Sequence, residues 1–222
     1  MASGTLFETP HAHALETEQT MKLYLASISA RRQTLLSSLE IPFEVIAPLF
    51  EEISTGRPAA EEAVYFAEQK ARSVASQCPN AWILASDTLI ELERKIFGKP
   101  KDNKDAAEQL KNLSGKRHTL YTAIALLDTQ TNTCQKHLEK VFVTFKNLTA
   151  EEIEAYVASG EPMGKAGSYA IQGKGSQLIA KVEGDIQAVI GLPLKPIRQW
   201  LENFQPDPVD PDPAGPDPVV PQ

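Results

Sequence analysis

Apolar and polar positions alternate along the middle of the chain with periods that predict strands and helices in turn. A short apolar run over 23–26 predicts a strand, and the leucines that follow its polar turn fall on one face of a helix. Further along, 43–47 predicts a strand and 59–77 a helix with an apolar stripe. Helix and strand signals that alternate in this way favour an α/β fold.

Residues 82–92, WILASDTLIEL, form a nearly continuous apolar run, which is typical of a central strand covered on both faces. Asp87 interrupts this run on the same side as Ile83 and Leu89. A carboxylate buried there must be paired or must bind a cation, because burying it alone costs too much free energy. If Asp87 lies at the end of the strand, its carboxylate would instead face a cleft or accept hydrogen bonds from backbone N–H groups. A hairpin over 95–100 would bring Lys99 near this strand.

The second half of the chain continues the alternation and includes a glycine-rich stretch. We predict a helix from Asp102 to 113, paired strands over 118–127 and 141–145, a helix after the capping box Thr149-x-x-Glu152, and a last helix with Pro193 at its first position. Residues 160–175 contain five glycines, which indicates positive φ angles or close approach to a ligand. Their spacing matches neither a dinucleotide-binding nor a Walker phosphate loop.

Composition predicts one globular domain with two extensions. The 222 residues are 42% hydrophobic and 23% charged, with a net charge of −7. Residues 1–20 and 205–222 contain three and four acids and no Lys or Arg, which leaves 22 acids and 22 bases between them. We therefore expect a disordered extension over 1–20, a neutral domain over 21–204 and a disordered Pro/Asp-rich tail over 205–222. A neutral body predicts no nucleic-acid-binding surface.

Location and redox state follow from what the sequence lacks. The first twenty residues have neither the basic nor the apolar region of a secretory signal or transit peptide. No apolar run approaches the roughly 20 residues that a membrane span needs. Cys78 and Cys134 stand far apart without metal or redox spacing. We therefore expect free thiols and a cytoplasmic protein that does not bind membranes.

Two features indicate a site for an anion. Ser29 is a candidate N-cap, and Arg31 and Arg32 follow it in the first helical turn. Helix N-terminal N–H groups and forked guanidinium donors both suit phosphate oxygens, although two surface arginines on a capped helix are the alternative. Lys70 lies within the apolar stripe of 59–77. Its ammonium either extends to water along the core surface or reaches a ligand.

Nine stretches, in this order, resemble the Maf family of nucleoside triphosphate pyrophosphatases over about 22–204. They are SISARRQTLL, the Glu-Glu at 51–52, EQKA, ASDT, GKP, SGKRHTLYTAIAL, YVASGEPMGKAG, YAIQGKG and VIGLPL. The resemblance implies an α/β, Maf-like (inosine-triphosphatase-like) two-lobed fold around a mixed central sheet with an active-site cleft. It also implies a cytoplasmic enzyme, often a homodimer, that uses a divalent metal to split nucleoside triphosphates into monophosphate and pyrophosphate.

The resemblance also implies roles for individual residues. Asp87 matches the position of the family's general base, and Arg32, Lys70 and Lys99 match positions that bind phosphate. Glu52 and Asp87 are the expected ligands of Mg²⁺ or Mn²⁺. Whether Asp87 acts as base or metal ligand stays open at this point.

Three positions are associated with the family's substrate subtypes. Here they are Arg31, Thr88 and Gln172, and they are similar to the branch that acts on dTTP and UTP. The alternatives are the 7-methyl-GTP branch, a non-catalytic nucleotide-binding regulator of cell division, and a phosphomonoesterase that uses the same anion site. Gly164 departs from the family pattern, since an Asp usually precedes the Lys-Ala-Gly.

Overall fold

A computed structural model of the protein describes residues 21–202, so the extensions predicted for 1–20 and 205–222 lie outside the described residues. The strands and helices follow in chain order: β1 (Lys22–Ala26), α1 (Ala30–Ser37), β2 (Glu44–Ile46), α2 (Ala59–Arg72), β3 (Ala81–Leu92), β4 (Lys95–Phe97), α3 (Asn103–Leu113), β5 (Arg117–Asp128), β6 (Cys134–Phe145), α4 (Ala150–Ala158), β7 (Ile179–Glu183), α5 (Ile186–Ile190) and α6 (Leu194–Leu201). No helix in this described part is long and apolar enough to cross a membrane.

The strands form one mixed sheet in the order β2-β1-β3-β5-β6-β7, with β4 paired to β3. The β1 strand is parallel to β2 and β3, whereas the remaining pairs are antiparallel. Helices pack on the sheet as the α/β prediction requires, and α2 crosses β3 and β5. The predicted α/β fold with a mixed central sheet is confirmed.

A gap in the pairing of β3 locates the cleft. Along one edge of β3, β1 pairs with residues 81–85 and β4 pairs with residues 90–92. Residues 86–89 lie between these two partners, while their other edge is paired with β5. The C-terminal end of β1 leads directly into the turn before α1 at this gap. Ligands of α/β proteins bind at such C-terminal strand ends, where neighbouring connections diverge.

The two faces of β3 meet different helices. Leu84 packs with α1 and α6 through Leu36 and Ile197. Ile83 and Ala85 pack on the opposite side with residues of α2 and the segment after it. Because side chains alternate along a strand, Asp87 must face α2, whereas Ser86 and Thr88 face α1 and the α5–α6 turn. A separate apolar cluster surrounds α3 and α4.

Most predicted helix boundaries are correct to within two residues, and three details of them are wrong. The helix predicted over 59–77 ends at Arg72, and a separate 3₁₀ turn covers Ala75–Gln77. The capping box of Thr149 and Glu152 forms both hydrogen bonds, and Asp102 caps α3 through the Asp105 N–H. Ser29 is the N-cap of α1, but its side chain makes no capping bond. Pro193 precedes α6 as its N-cap residue and does not occupy the first helical position.

The far edge of the sheet differs most from the prediction. β6 begins at Cys134, seven residues before the predicted strand, and neither β7 nor α5 was predicted. The first half of β6 is largely polar and has no fully buried residue, so it lacks the alternation that marks a half-buried strand. Pairing with β5 forms this part of β6 instead.

Candidate active site

A cavity of about 580 Å³ opens at the gap in β3. Its walls come from the turn before α1, the loop before α2, the β3 strand, the turn after β4 and the loop over 164–172. All eight residues singled out from the sequence line it: Arg31, Arg32, Glu52, Lys70, Asp87, Thr88, Lys99 and Gln172. The fold therefore brings together residues that are up to 141 positions apart, as Arg31 and Gln172 are.

An alternating chain of charges runs through this cleft. The Lys70 ammonium lies 2.5 Å from Asp87 Oδ1 and 2.7 Å from Glu52 Oε1. Lys99 continues the chain with 3.0 Å contacts to both oxygens of Glu52. Asp87 and Lys70 are almost fully buried, whereas Lys99 is exposed. The Lys70 ammonium therefore does not reach into open water, and it bridges the two carboxylates that the sequence placed in one site.

The two carboxylates have different electrostatic surroundings. Burial raises the pKa of Asp87, and the nearby Lys70 ammonium offsets part of that increase. For Glu52 burial also raises the pKa, but Lys70 and Lys99 together lower it to about 2. The Oδ2 atom of Asp87 is buried and has no hydrogen-bond partner among the described residues. An acceptor with that free position, lining a cleft, is available to a water proton or a cation.

The guanidinium of Arg32 is fixed from two sides. Its Nε donates to the Gly191 carbonyl at 3.0 Å, and a terminal nitrogen donates to Thr88 Oγ1 at 3.3 Å. Burial lowers the pKa of Arg32, while the charges of Asp87 and Glu52 raise it. An Arg remains charged under these conditions. The protein thus holds a preformed cation next to the carboxylates.

Thr88 belongs to a directional relay that ends on the backbone. The Thr122 hydroxyl donates to the Ala188 carbonyl at 2.8 Å, so its single hydrogen is used. Thr88, 3.0 Å away, must then donate to Thr122 and accept from Arg32. This relay places the residue that follows Asp87 against the arginine. The sequence does not predict this relay, because Thr122 lies on β5 and meets Thr88 only through the pairing of β3 with β5.

Sequence reasoning missed three polar residues that line the same cavity: Ser27, Lys165 and Tyr169. Ser27 is buried, and its hydroxyl accepts the Ser29 N–H at 3.2 Å, a bond that orders the turn before α1. Lys165 and Tyr169 belong to the glycine-rich stretch, whose composition had indicated close approach to a ligand. That composition was the available signal for both.

The acidic residues fit a hard divalent cation only in part. No group of three or more His, Cys, Asp or Glu that could hold a metal occurs within residues 21–202. Glu52 and Asp87 nevertheless meet at one ammonium, and Asp87 Oδ2 lacks a partner. Mg²⁺ is commonly bound by one or two carboxylates plus substrate phosphates and water. Two oxygen donors in a cleft that Arg31, Arg32 and Lys99 also line fit that mode.

The fold and cleft define a class of protein: an α/β protein with a mixed sheet and a cleft lined by several cations and two carboxylates. The sequence matches the model of the family described as "Maf-like protein" over residues 22–204, so the chain belongs to this family.

Relatives of known name agree with this placement. A dTTP/UTP pyrophosphatase of Myxococcus xanthus is 44% identical over 81% of this chain and 90% of its own length. One from Carboxydothermus hydrogenoformans is 41% identical over 81% of this chain and 99% of its own length. One from Bacillus mycoides is 40% identical over 84% of this chain and 97% of its own length.

Proposed function

We propose that this protein is a nucleoside triphosphate pyrophosphatase that hydrolyses dTTP and UTP to the monophosphate and pyrophosphate. The relatives that bear this activity in their names align over nearly their whole length. The observation that carries the proposal is the chain of charges from buried Asp87 and Lys70 out to Glu52, which lies beside Arg32 in one cleft. That arrangement combines a proton acceptor with several fixed cations, and hydrolysis of a phosphoanhydride needs both.

The cations would act on the leaving group. When water attacks the α-phosphorus, a bond forms to the water oxygen, and the bond to the bridging α–β oxygen breaks. The electron pair of that bond leaves with pyrophosphate. Arg32, Lys70 and Lys99 line the cavity and would neutralise this growing charge. Because Arg32 and Lys70 are already held by protein contacts, little reorganisation accompanies the reaction.

Asp87 is our candidate for accepting the water proton. Its unpartnered Oδ2 and raised pKa favour a carboxylate that can take up a proton at the moment of attack. Glu52 and Asp87 would also hold a Mg²⁺ or Mn²⁺ ion, which supplies Lewis-acid polarisation of a phosphoryl oxygen when bound. The homodimer and the cytoplasmic location implied by the family resemblance stay predictions.

A substrate panel scored for two products tests the proposal. Purified protein with Mg²⁺ or Mn²⁺ should release pyrophosphate from dTTP and UTP faster than from 7-methyl-GTP or GTP. Orthophosphate release from the monophosphates would identify a phosphomonoesterase instead. Binding of dTTP without release of either product would identify a catalytically silent nucleotide-binding protein.

Gln172 is our candidate for reading the base, because it is exposed at the cleft and its amide offers both donors and an acceptor. Gln172→Glu removes the donors, so the preference for dTTP over GTP should fall by about tenfold, the worth of one good hydrogen bond. The kcat/KM values for both nucleotides measure this. Gln177→Glu, at an exposed position of the next turn, is the matched control and should behave as wild type. An unchanged dTTP-to-GTP ratio in Gln172→Glu would contradict the role.

A further inference from the structure

The loop that carries Gln172 is attached to one carboxylate. Glu161 Oε2 accepts the N–H of Lys174 at 3.0 Å, and Oε1 accepts the N–H of Gly175 at 2.9 Å. These two amides follow Gln172 closely in the chain, whereas Glu161 lies just after α4. A carboxylate that accepts two consecutive backbone N–H groups holds that segment in one conformation.

The other end of the loop is attached through Tyr156 on α4. The Tyr156 hydroxyl donates to Glu161 Oε1 at 3.0 Å and accepts the N–H of Ala170 at 3.3 Å. Ala170 precedes Gln172 by two residues. Tyr156 and Glu161 therefore form a clamp, since together they bind the backbone on both sides of Gln172. Tyr169, which precedes Ala170, is itself fixed by a 2.9 Å contact between its hydroxyl and His118.

The glycines of this loop are required by the clamp. Gly173 has a φ of 79°, and a Cβ there would lie 2.8 Å from Glu161 Oε2. A Cβ on Gly175 would lie 2.2 Å from the Ala170 carbonyl oxygen and 2.7 Å from the Tyr156 hydroxyl. The backbone thus passes so close to the clamp that side chains are excluded at both positions.

The carboxylate of Glu161 remains charged in this setting. Burial raises its pKa, but the amides of Gly175 and Lys174 and the Tyr156 hydroxyl lower it below its ordinary value. The Glu161 carbonyl also accepts a hydrogen bond from the ammonium of Lys165, which lines the cavity. One residue therefore contacts two segments that line the cleft while lying outside the cavity lining itself.

We propose that Glu161, together with Tyr156, is a positioning residue that sets substrate selectivity by fixing the loop of Gln172. The inference rests on the proposed function and adds to it a residue that does not touch the substrate. Ordering a loop before binding removes a free-energy cost that the nucleotide would otherwise meet. The clamp should therefore affect KM and base preference and leave the chemical step nearly intact.

Glu161→Gln tests the inference with almost no change in shape. Both oxygens of the Glu161 carboxylate accept an N–H group of the loop. In the glutamine, an NH₂ group replaces one of these oxygens and cannot accept, so at least one hydrogen bond to the loop is lost. We expect KM for dTTP to rise about tenfold and the dTTP-to-GTP preference to fall by a similar factor, with kcat within about threefold of wild type. Tyr156→Phe, which removes only the hydroxyl, should shift KM in the same direction by a smaller factor. Glu154→Gln, on the exposed face of α4, is the matched control.

A double-mutant cycle separates positioning from general destabilisation. In a Gln172→Ala background, Glu161→Gln should produce little further change in base preference, because coupled residues are not additive. The inference is overturned if KM and preference stay at wild-type values, if kcat falls equally for every nucleotide, or if the preference changes as much without Gln172 as with it. Direct titration of each variant with dTTP gives a dissociation constant, which makes the same comparison as KM without turnover. Wild-type protein that binds dTTP but releases no pyrophosphate would defeat the proposed function alone.

Discussion

Asp87→Asn is expected to lower kcat for dTTP hydrolysis by at least about 100-fold, the usual contribution of a general base. Asn has nearly the same shape as Asp and retains an acceptor for the Lys70 ammonium, which lies 2.5 Å from Oδ1. It cannot accept the proton of an attacking water at neutral pH. Steady-state release of pyrophosphate measures the effect, and titration with dTTP should show that the nucleotide still binds.

Two comparisons make the Asp87 result specific. Glu91→Gln changes another carboxylate of β3 on the same side of the strand, outside the cavity lining, and should leave kcat unchanged. Titration with Mg²⁺ then distinguishes the two roles of Asp87. A metal ligand loses affinity for Mg²⁺ when it becomes Asn, whereas a pure base retains it. Turnover of Asp87→Asn near the wild-type value would refute both roles.

The sequence revealed the unusual members of the site because burial is costly for them. Asp87 stood out as an acid in an apolar strand, and the period of the strand correctly placed it on the side of Ile83 and Leu89. Lys70 stood out in the same way within a helical stripe. That these two residues form a pair depends on how α2 packs across β3, and no local pattern encodes that packing.

Other parts of the site depend on contacts between distant segments. The gap in β3 arises because β1 and β4 end at different registers, and neither strand shows this alone. Thr88 reaches Arg32 and Thr122 only once the sheet has formed. Glu161 resembles any exposed acid after a helix until the loop folds around it. Sequence patterns identify charged residues at positions that should be apolar. Tertiary structure is needed to identify polar residues such as Glu161, whose role depends on contacts with distant segments.

Lys70→Met should reduce the free energy of unfolding by about 3–5 kcal/mol near neutral pH, because it leaves the buried Asp87 carboxylate without its ammonium partner. The loss should be smaller in acid. Burial already raises the folded-state pKa of Asp87 above 3.8, and removing Lys70 takes away the largest opposing influence. At pH values between the pKa of Asp87 in the unfolded chain and its higher pKa in the folded variant, the folded variant binds more protons than the unfolded chain. Its stability therefore falls as the pH rises through that interval. Urea unfolding at several pH values measures this.

Lys136→Met provides the control for the buried pair. Lys136 contacts Glu68 at 2.8 Å on the surface, where such pairs contribute about 1 kcal/mol or less. A double variant, Lys70→Met with Asp87→Asn, should recover much of the lost stability because no unpaired charge remains buried. The double variant should also lose the acid dependence that Lys70→Met shows, since the titrating carboxylate is gone. If Lys70→Met costs no more than Lys136→Met at neutral pH, Asp87 is not a buried anion, and the charge chain on which the proposed active site depends does not exist.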